Sequence, residues 1–289
     1  MDVRQREWLF YCRGCDLWTS SLDTDSERTD LVYTHDEQAF QQLRTNHSAV
    51  IFEALAASGA LEGLTMLDVG SSYGWFMEAA RERGILPCGL EPQEEKAQRA
   101  IEKGLAIQLG YFPDDLDYSG RYDIIAFNDV LEHFRDADAA VRAARDILRP
   151  GGRLIVCCPD SHGLYYRLSL LLSRAGWKNP LDRLWQKGYP SPHLYYFSSA
   201  SLEKLVARHG FGLVEDRELE ASTIKGLWQR IHVDREKPSV FSVFLYVAAL
   251  ITHLVLQKLF KSDARLQIYR KLPEGRQAGS PLRESGASS

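Results

Sequence analysis

The chain has 289 residues, 45% hydrophobic and 26% charged, with a formal net charge of −4. Those proportions belong to a globular protein and exclude collagen-like repeats, coiled coil and wholesale disorder. The acidic balance offers no broad footprint for nucleic acid, and five scattered cysteines do not form a disulfide framework, which fits a reducing compartment.

Residues 1–35 open with MDVRQREWLFYC, where charge alternates with aromatics and no apolar run reads as a secretory signal. The segment has no sustained period and is expected to be irregular. From Asp36 the pattern turns helical, with Phe40, Leu43, Val50, Ile51, Ala54 and Leu55 on one stripe and Gly59 behind it. Short apolar runs then alternate with amphipathic stretches. Strands are expected at 65–69, 86–91, 105–109, 122–127 and 153–158, and helices at 74–83, 93–103 and 137–148. That rhythm implies a parallel sheet with helices on both faces. Residues 160–197 interrupt it as an insertion rich in aromatics and leucine. A helix at 199–209 resumes the pattern, and 211–217 and 227–233 are expected to be the last two strands, antiparallel neighbours at one edge.

Residues 239–256 carry no formal charge, with Lys258 and Lys261 behind them, and 236–272 is expected to be an apolar helical segment. Three placements stay open for it: buried against the domain, lying in a membrane interface, or spanning. Leu164, Tyr165, Leu168, Leu171 and Leu172 form a second apolar stripe, with Arg167 and Arg174 beside it. Residues 273–289 read as a disordered tail. The expected location is the cytoplasm or the inner face of a membrane.

In an open parallel sheet, ligands bind beyond the carboxyl ends of the strands. The loop after the first strand reads LDVGSSYGWF over 67–76, and Gly70 and Gly74 allow close backbone approach to a ligand. The helix behind it offers free N–H donors. Glu91 ends the second strand, where an acid can accept from both hydroxyls of a ribose. Loop and acid together point to a nucleoside-containing ligand. The spacing is not G-x-G-x-x-G, so the pyrophosphate fingerprint is absent.

Farther on, YDIIAFNDVLEH at 122–133 and LRPGGRL at 148–154 complete a set that resembles the class I S-adenosylmethionine-dependent methyltransferases. The other members of the set are D-x-G-x-x-x-G at 68–74 and Glu91, and the resemblance covers about residues 60–235. PHLYYFS at 192–198 is similar to the branch with ubiquinone-pathway O-methyltransferases and methyltransferases of sugar and polysaccharide clusters. The resemblance implies a Rossmann-like three-layer α/β sandwich over 36–235. Its seven-stranded sheet is mostly parallel, with only the last strand antiparallel. It implies S-adenosyl-L-methionine as cofactor, with Asp68, Gly70, Ser71 and Gly74 framing the methionine end and Glu91 holding the ribose. Gly110, Tyr111 and Phe112 are expected beside the adenine, and Asn128 and Asp129 facing the transferred methyl.

A hydroxyl acceptor must lose its proton, and His133 and His193 are the candidate bases. Asp129-x-x-Glu132-His133 with distant His193 also resembles the divalent-metal site of some RNA and ubiquinone-pathway methyltransferases, where magnesium or manganese would lower the acceptor's pKa. Two departures stand out. Ser72 occupies the place of a third family glycine. Cys12-Arg-Gly-Cys15 is what remains of a four-cysteine zinc ribbon, and two thiolates do not make a structural zinc site. The expected reaction is methylation of a hydroxyl on a saccharide, glycan, lipid-linked or quinone-like small acceptor. An RNA-end methyltransferase and a non-catalytic cofactor-binding scaffold are the alternatives.

Overall fold

The computed structural model describes residues 2–23, 34–116, 120–220, 247, 250 and 260–273. In chain order the first part comprises β1 (Asp2–Arg6), β2 (Leu9–Cys12), β3 (Leu17–Ser20), α1 (Thr34–Ala56), β4 (Thr65–Val69) and α2 (Trp75–Arg81). There follow β5 (Leu86–Glu91), α3 (Glu94–Glu102), β6 (Ala106–Leu109), β7 (Tyr122–Asn128), a 3-10 turn at Leu131–His133 and α4 (Ala137–Ile147). The chain continues through β8 (Leu148–Pro159), α5 (Leu164–Arg174), α6 (Asn179–Leu184), β9 (Tyr195–Phe197), α7 (Ser199–Arg208), β10 (Phe211–Leu219) and β11 (Ala264–Lys271).

Period-two alternation in the central strands sorts their side chains onto two faces. Leu67, Val69, Ile125, Phe127, Leu154 and Val156 point one way, onto Ala140, Val141 and Ala144 of α4 and Leu202 and Val206 of α7. Met66, Ile124, Ala126, Ile155 and Cys157 point the other way, onto Ile51, Phe52 and Leu55 of α1 and Phe76 and Ala80 of α2. Two apolar layers around one sheet make the expected three-layer sandwich. The sheet has seven strands in the order β10-β11-β8-β7-β4-β5-β6. β4 pairs in parallel with β5 and β7, β7 with β8, and β5 with β6; β11 runs antiparallel to both β8 and β10. Only the last strand is antiparallel, as the resemblance implied, and it is inserted between β10 and β8.

The antiparallel strand is not where the sequence placed it. It is formed by Ala264–Lys271, whereas 227–233 lies outside the described residues. The signal was hidden because ARLQIYRK mixes charge with apolar positions and puts Gln267 at the centre. Gln267 is fully buried, and its amide donates to the Ser199 hydroxyl at 2.8 Å and accepts from the Tyr269 hydroxyl at 2.5 Å, so the polar residue is satisfied there. Residues 264–271 are therefore strand rather than part of an apolar helical segment. The uncharged stretch 239–256 and the tail from 274 lie outside the described residues, apart from positions 247 and 250. Among the described residues, no helix is long and apolar enough to cross a membrane.

The expectation of an irregular N-terminus is also corrected. β1, β2 and β3 form an antiparallel ladder, and β9 from the 160–197 insertion adds to it through Leu17↔Phe197, Trp18↔Tyr196 and Thr19↔Tyr195. Its core is aromatic: Leu9, Trp18, Tyr166, Leu181, Trp185 and Tyr196 are buried together. Tyr166 stacks on Tyr196 at 4.3 Å, and Trp8 meets Trp185 edge-on at 5.8 Å. The Arg6 guanidinium reaches Asp182 of α6 at 2.5 Å and Ser173 of α5 at 2.5 Å, fastening β1 to the insertion.

Candidate active site

β4 ends in Asp68 and Val69, and the chain turns at once. Gly70 takes φ 69°, Ser72 φ 50° and Gly74 φ 75°. A Cβ at Gly70 would lie 2.8 Å from the Val130 methyl, and one at Gly74 would lie 2.3 Å from a Leu105 methyl. Both glycines are therefore required by close packing as well as by backbone conformation. Ser72, standing where the family has glycine, adopts the left-handed conformation that glycine would take. Its N–H donates to Glu91 Oε2 at 2.8 Å, and the Gln93 N–H donates to Oε1 at 3.0 Å.

Asp68 and Glu91 are both buried, at 2% and 4% exposure. Burial, with the Glu91 charge nearby, pushes the Asp68 carboxyl up to about 8, while Arg44 acts in the opposite direction. Ser71 Oγ and Asn128 Oδ1 are buried without a hydrogen-bond partner among the described residues. Two buried carboxyl groups, Asp68 able to ionise against a cation, and two polar atoms without a partner among the described residues are fit for a cationic, hydroxyl-bearing ligand. Beyond β6, Gly110 takes φ 150°, and the Tyr111 N–H donates to Asp115 Oδ2 at 2.8 Å. Tyr111 is exposed, whereas Phe112 is buried edge-on against Phe127 and Phe134.

The second half of the site lies after β7. Asp129 takes φ 55°, and its carboxylate is ion-paired with Arg44 of α1. Arg44 escaped sequence reasoning because nothing in its helix distinguishes it; its pairing with Asp129, 85 residues on, is visible only in the fold. The 3-10 turn that follows presents Glu132 and His133. Both meet His193, and one possible ligand atom from each of the three lies within 4.8 Å of the others. The imidazoles of His133 and His193 pack with centroids 4.7 Å apart. His133 Nδ1 lies 3.1 Å from the Pro192 carbonyl, a contact that requires Nδ1 to carry the proton and leaves Nε2 with a lone pair.

His193 is placed by the small sheet. The Ser20 hydroxyl donates to its carbonyl at 2.9 Å, its own N–H donates to the Trp185 carbonyl at 3.1 Å, and the Gln186 amide lies 3.1 Å from Nε2. Burial lowers the pKa of both histidines, for His193 with the added repulsion of His133, so both are neutral near pH 7. Burial and the Asp129 charge raise Glu132 well above the usual carboxylate range. Glu132 Oε2 and His193 Nδ1 are buried without a partner among the described residues. Cys12, the last residue of β2, is half-buried and Cys15, on the turn behind it, is exposed, while Cys157 and Cys158 are buried in β8.

Residues 35–216 match a family model described as a methyltransferase domain. A ubiquinone biosynthesis O-methyltransferase of Escherichia coli is 28% identical over 123 residues, 39% of this chain and 50% of that protein. The chain thus spans about half the length of the curated relatives it matches. In fold it is similar to phosphoethanolamine N-methyltransferase 2 of Haemonchus contortus, solved with S-adenosyl-L-methionine. That similarity has a TM-score of 0.57 at 15% identity, over 88% of this chain and 61% of that one. It is also similar to a cyclopropane synthase of Mycobacterium tuberculosis, with a TM-score of 0.53 at 20% identity, over 77% and 82% of the two chains. The chain belongs to the methyltransferase-domain family, in the class I S-adenosylmethionine-dependent group.

Proposed function

We propose that this protein transfers the methyl group of S-adenosylmethionine to a hydroxyl of a small acceptor, in the saccharide, lipid-linked or quinone-like range. The observation that carries the reading is the convergence of Glu132, His133 and His193 beside the loop that begins at Asn128. The sulfonium methyl is already electrophilic, so the protein's work is to align the acceptor oxygen with the C–S bond and to take its proton. The cradle suits the donor: the buried Glu91 carboxylate is assigned to the ribose hydroxyls, Asp68 and Ser71 to the methionine end, and Asn128 to the transferred methyl.

His133 Nε2 is the favoured proton acceptor, because Pro192 holds the other ring nitrogen protonated and burial keeps the ring neutral. His193 stands behind it, fixed by Ser20 and Trp185. The same three side chains also fit a divalent cation, since Glu132 Oε2 and His193 Nδ1 are buried without a partner among the described residues and a cation would take the His193 tautomer that carries its lone pair there. Bound there, the ion would lower the pKa of an acceptor hydroxyl. One carboxylate and two imidazoles suit manganese, iron or zinc better than magnesium, which prefers oxygen ligands.

A methyl-transfer assay with labelled cofactor against sugars, catechols and hydroquinones, each paired with its amine analogue, tests the reading. The expected outcome is transfer to oxygen; loss of that activity on chelation and its restoration by Mn²⁺ more effectively than by Mg²⁺ would assign activation of the hydroxyl to an ion held by the three side chains in place of the His133 base. Full activity after exhaustive chelation would assign activation to the histidines alone. Transfer only to amines would overturn O-methylation.

A further inference from the structure

We propose that α5 and the turn behind it form a docking surface for an anionic lipid bilayer, independently of which hydroxyl is methylated. α5 buries Tyr166 and Ser169 toward the aromatic core and turns Leu168 and Leu171 outward, at 43% and 60% exposure. Trp177, three residues past the helix end, is 48% exposed. Leucines four and three residues apart share a helix face, so Leu164, Leu168 and Leu171 form one stripe. A contiguous exposed apolar stripe capped by tryptophan is the pattern of a helix that lies in a membrane interface.

Charge selects the partner. Over residues 164–187 there are five cations, Arg167, Arg174, Lys178, Arg183 and Lys187, against the single carboxylate of Asp182, in a chain whose net charge is −4. Asp182 is itself taken up by Arg6. Arg167, Arg174 and Lys178 flank the apolar stripe, and among the described residues no carboxylate is paired with them. An apolar protein partner, or a cover from elsewhere in this chain, would need the leucines but not the cations. Phosphate headgroups over acyl chains call for both.

The surface is also held rigidly. The Asp263 carboxylate accepts from the Tyr165 and Tyr166 N–H groups at 2.9 and 2.7 Å, and the Leu164 N–H donates to the Lys261 carbonyl at 3.1 Å. The first turn of α5 is thereby bound to the residues that lead into β11. Phe260, 50% exposed, extends the apolar surface at that end.

The test is co-sedimentation of the full chain with vesicles of phosphatidylcholine alone or mixed in equal parts with phosphatidylglycerol. The protein is expected to sediment with the anionic vesicles, and less so as salt is raised. R167Q/R174Q should weaken that binding about twenty-five-fold, at roughly fivefold for each basic side chain near an anionic surface. L168Q/L171Q should abolish it, while both variants retain cofactor affinity and thermal stability because the replaced side chains are exposed. Failure of the native chain to bind anionic vesicles would overturn the proposal. So would equal binding by both variants, which would place any membrane contact elsewhere in the chain.

Discussion

Between Asp68 and Glu91 the proposed cofactor side is built by one strand–loop–helix–strand unit. Glu132, His133 and His193 are gathered from distant segments and tied down by strands of the N-terminus. The proposed cofactor side relies on backbone: two positive-φ glycines, a left-handed Ser72, and the Glu91 carboxylate, which receives two main-chain N–H groups. The proposed acceptor side relies on packing, since His193 stays in place only while β3, β9 and Trp185 stay together. A feature common to many methyltransferases can be local and self-sufficient. One that must vary with the acceptor is assembled from separable parts, and its failure should leave cofactor binding intact.

The largest effect should come from breaking the second assembly. Trp185→Ala empties a fully buried site in the aromatic core and is expected to cost about 3–5 kcal/mol of stability. Denaturant unfolding should register that loss, and methyl transfer should fall while calorimetric cofactor affinity stays near its native value. A parallel loss of cofactor binding would show that the two sides are one unit.

The complementary change acts on the cofactor side. Glu91→Ala removes a buried acceptor and should weaken S-adenosylmethionine by about 1.5–3 kcal/mol, as for hydrogen bonds to a charged group. The small sheet should be untouched, which limited proteolysis of the N-terminal strands would verify.

Asp68 sharpens the contrast through pH. Its carboxyl binds a proton up to about 8 in the fold but only up to 3.8 in an unperturbed chain, so the folded state holds the extra proton between those values. Stability without cofactor should therefore decline as pH rises from about 4 through about 8. Asp68→Asn should flatten that decline and raise the melting temperature at pH 8 by about 2–4 °C for each kcal/mol relieved. Its cofactor affinity should drop, because the neutral amide no longer meets a cationic ligand.

The same division explains what the amino-acid sequence discloses. Residues 65–69 and 86–91 coincide with β4 and β5 because buried parallel strands are short apolar runs bounded by glycine and charge. The turn at Gly70–Gly74 and the acid at 91 are legible for the same local reason. β1, with the sequence DVRQR, has no apolar alternation and is a strand only because β2 pairs with it. β11 was obscured by Gln267, whose burial is made acceptable by Ser199 and Tyr269, partners far away or invisible to periodicity. His133 and His193 could be named from a motif, but their contact and the role of Ser20 depend on β3 pairing with β9. Arg44 carries no local signal at all.

The measurement closest to the central claim pairs two readings on Glu132→Gln, a near-isosteric change that removes a buried carboxyl without opening a cavity. S-adenosylmethionine affinity is measured by calorimetry, and methyl transfer to the best hydroxyl acceptor by single turnover. The account predicts a Kd within about twofold of native and a transfer rate lower by about 10²-fold or more. A variant that binds cofactor normally and transfers methyl at the native rate would contradict it, and would remove Glu132 from the chemistry.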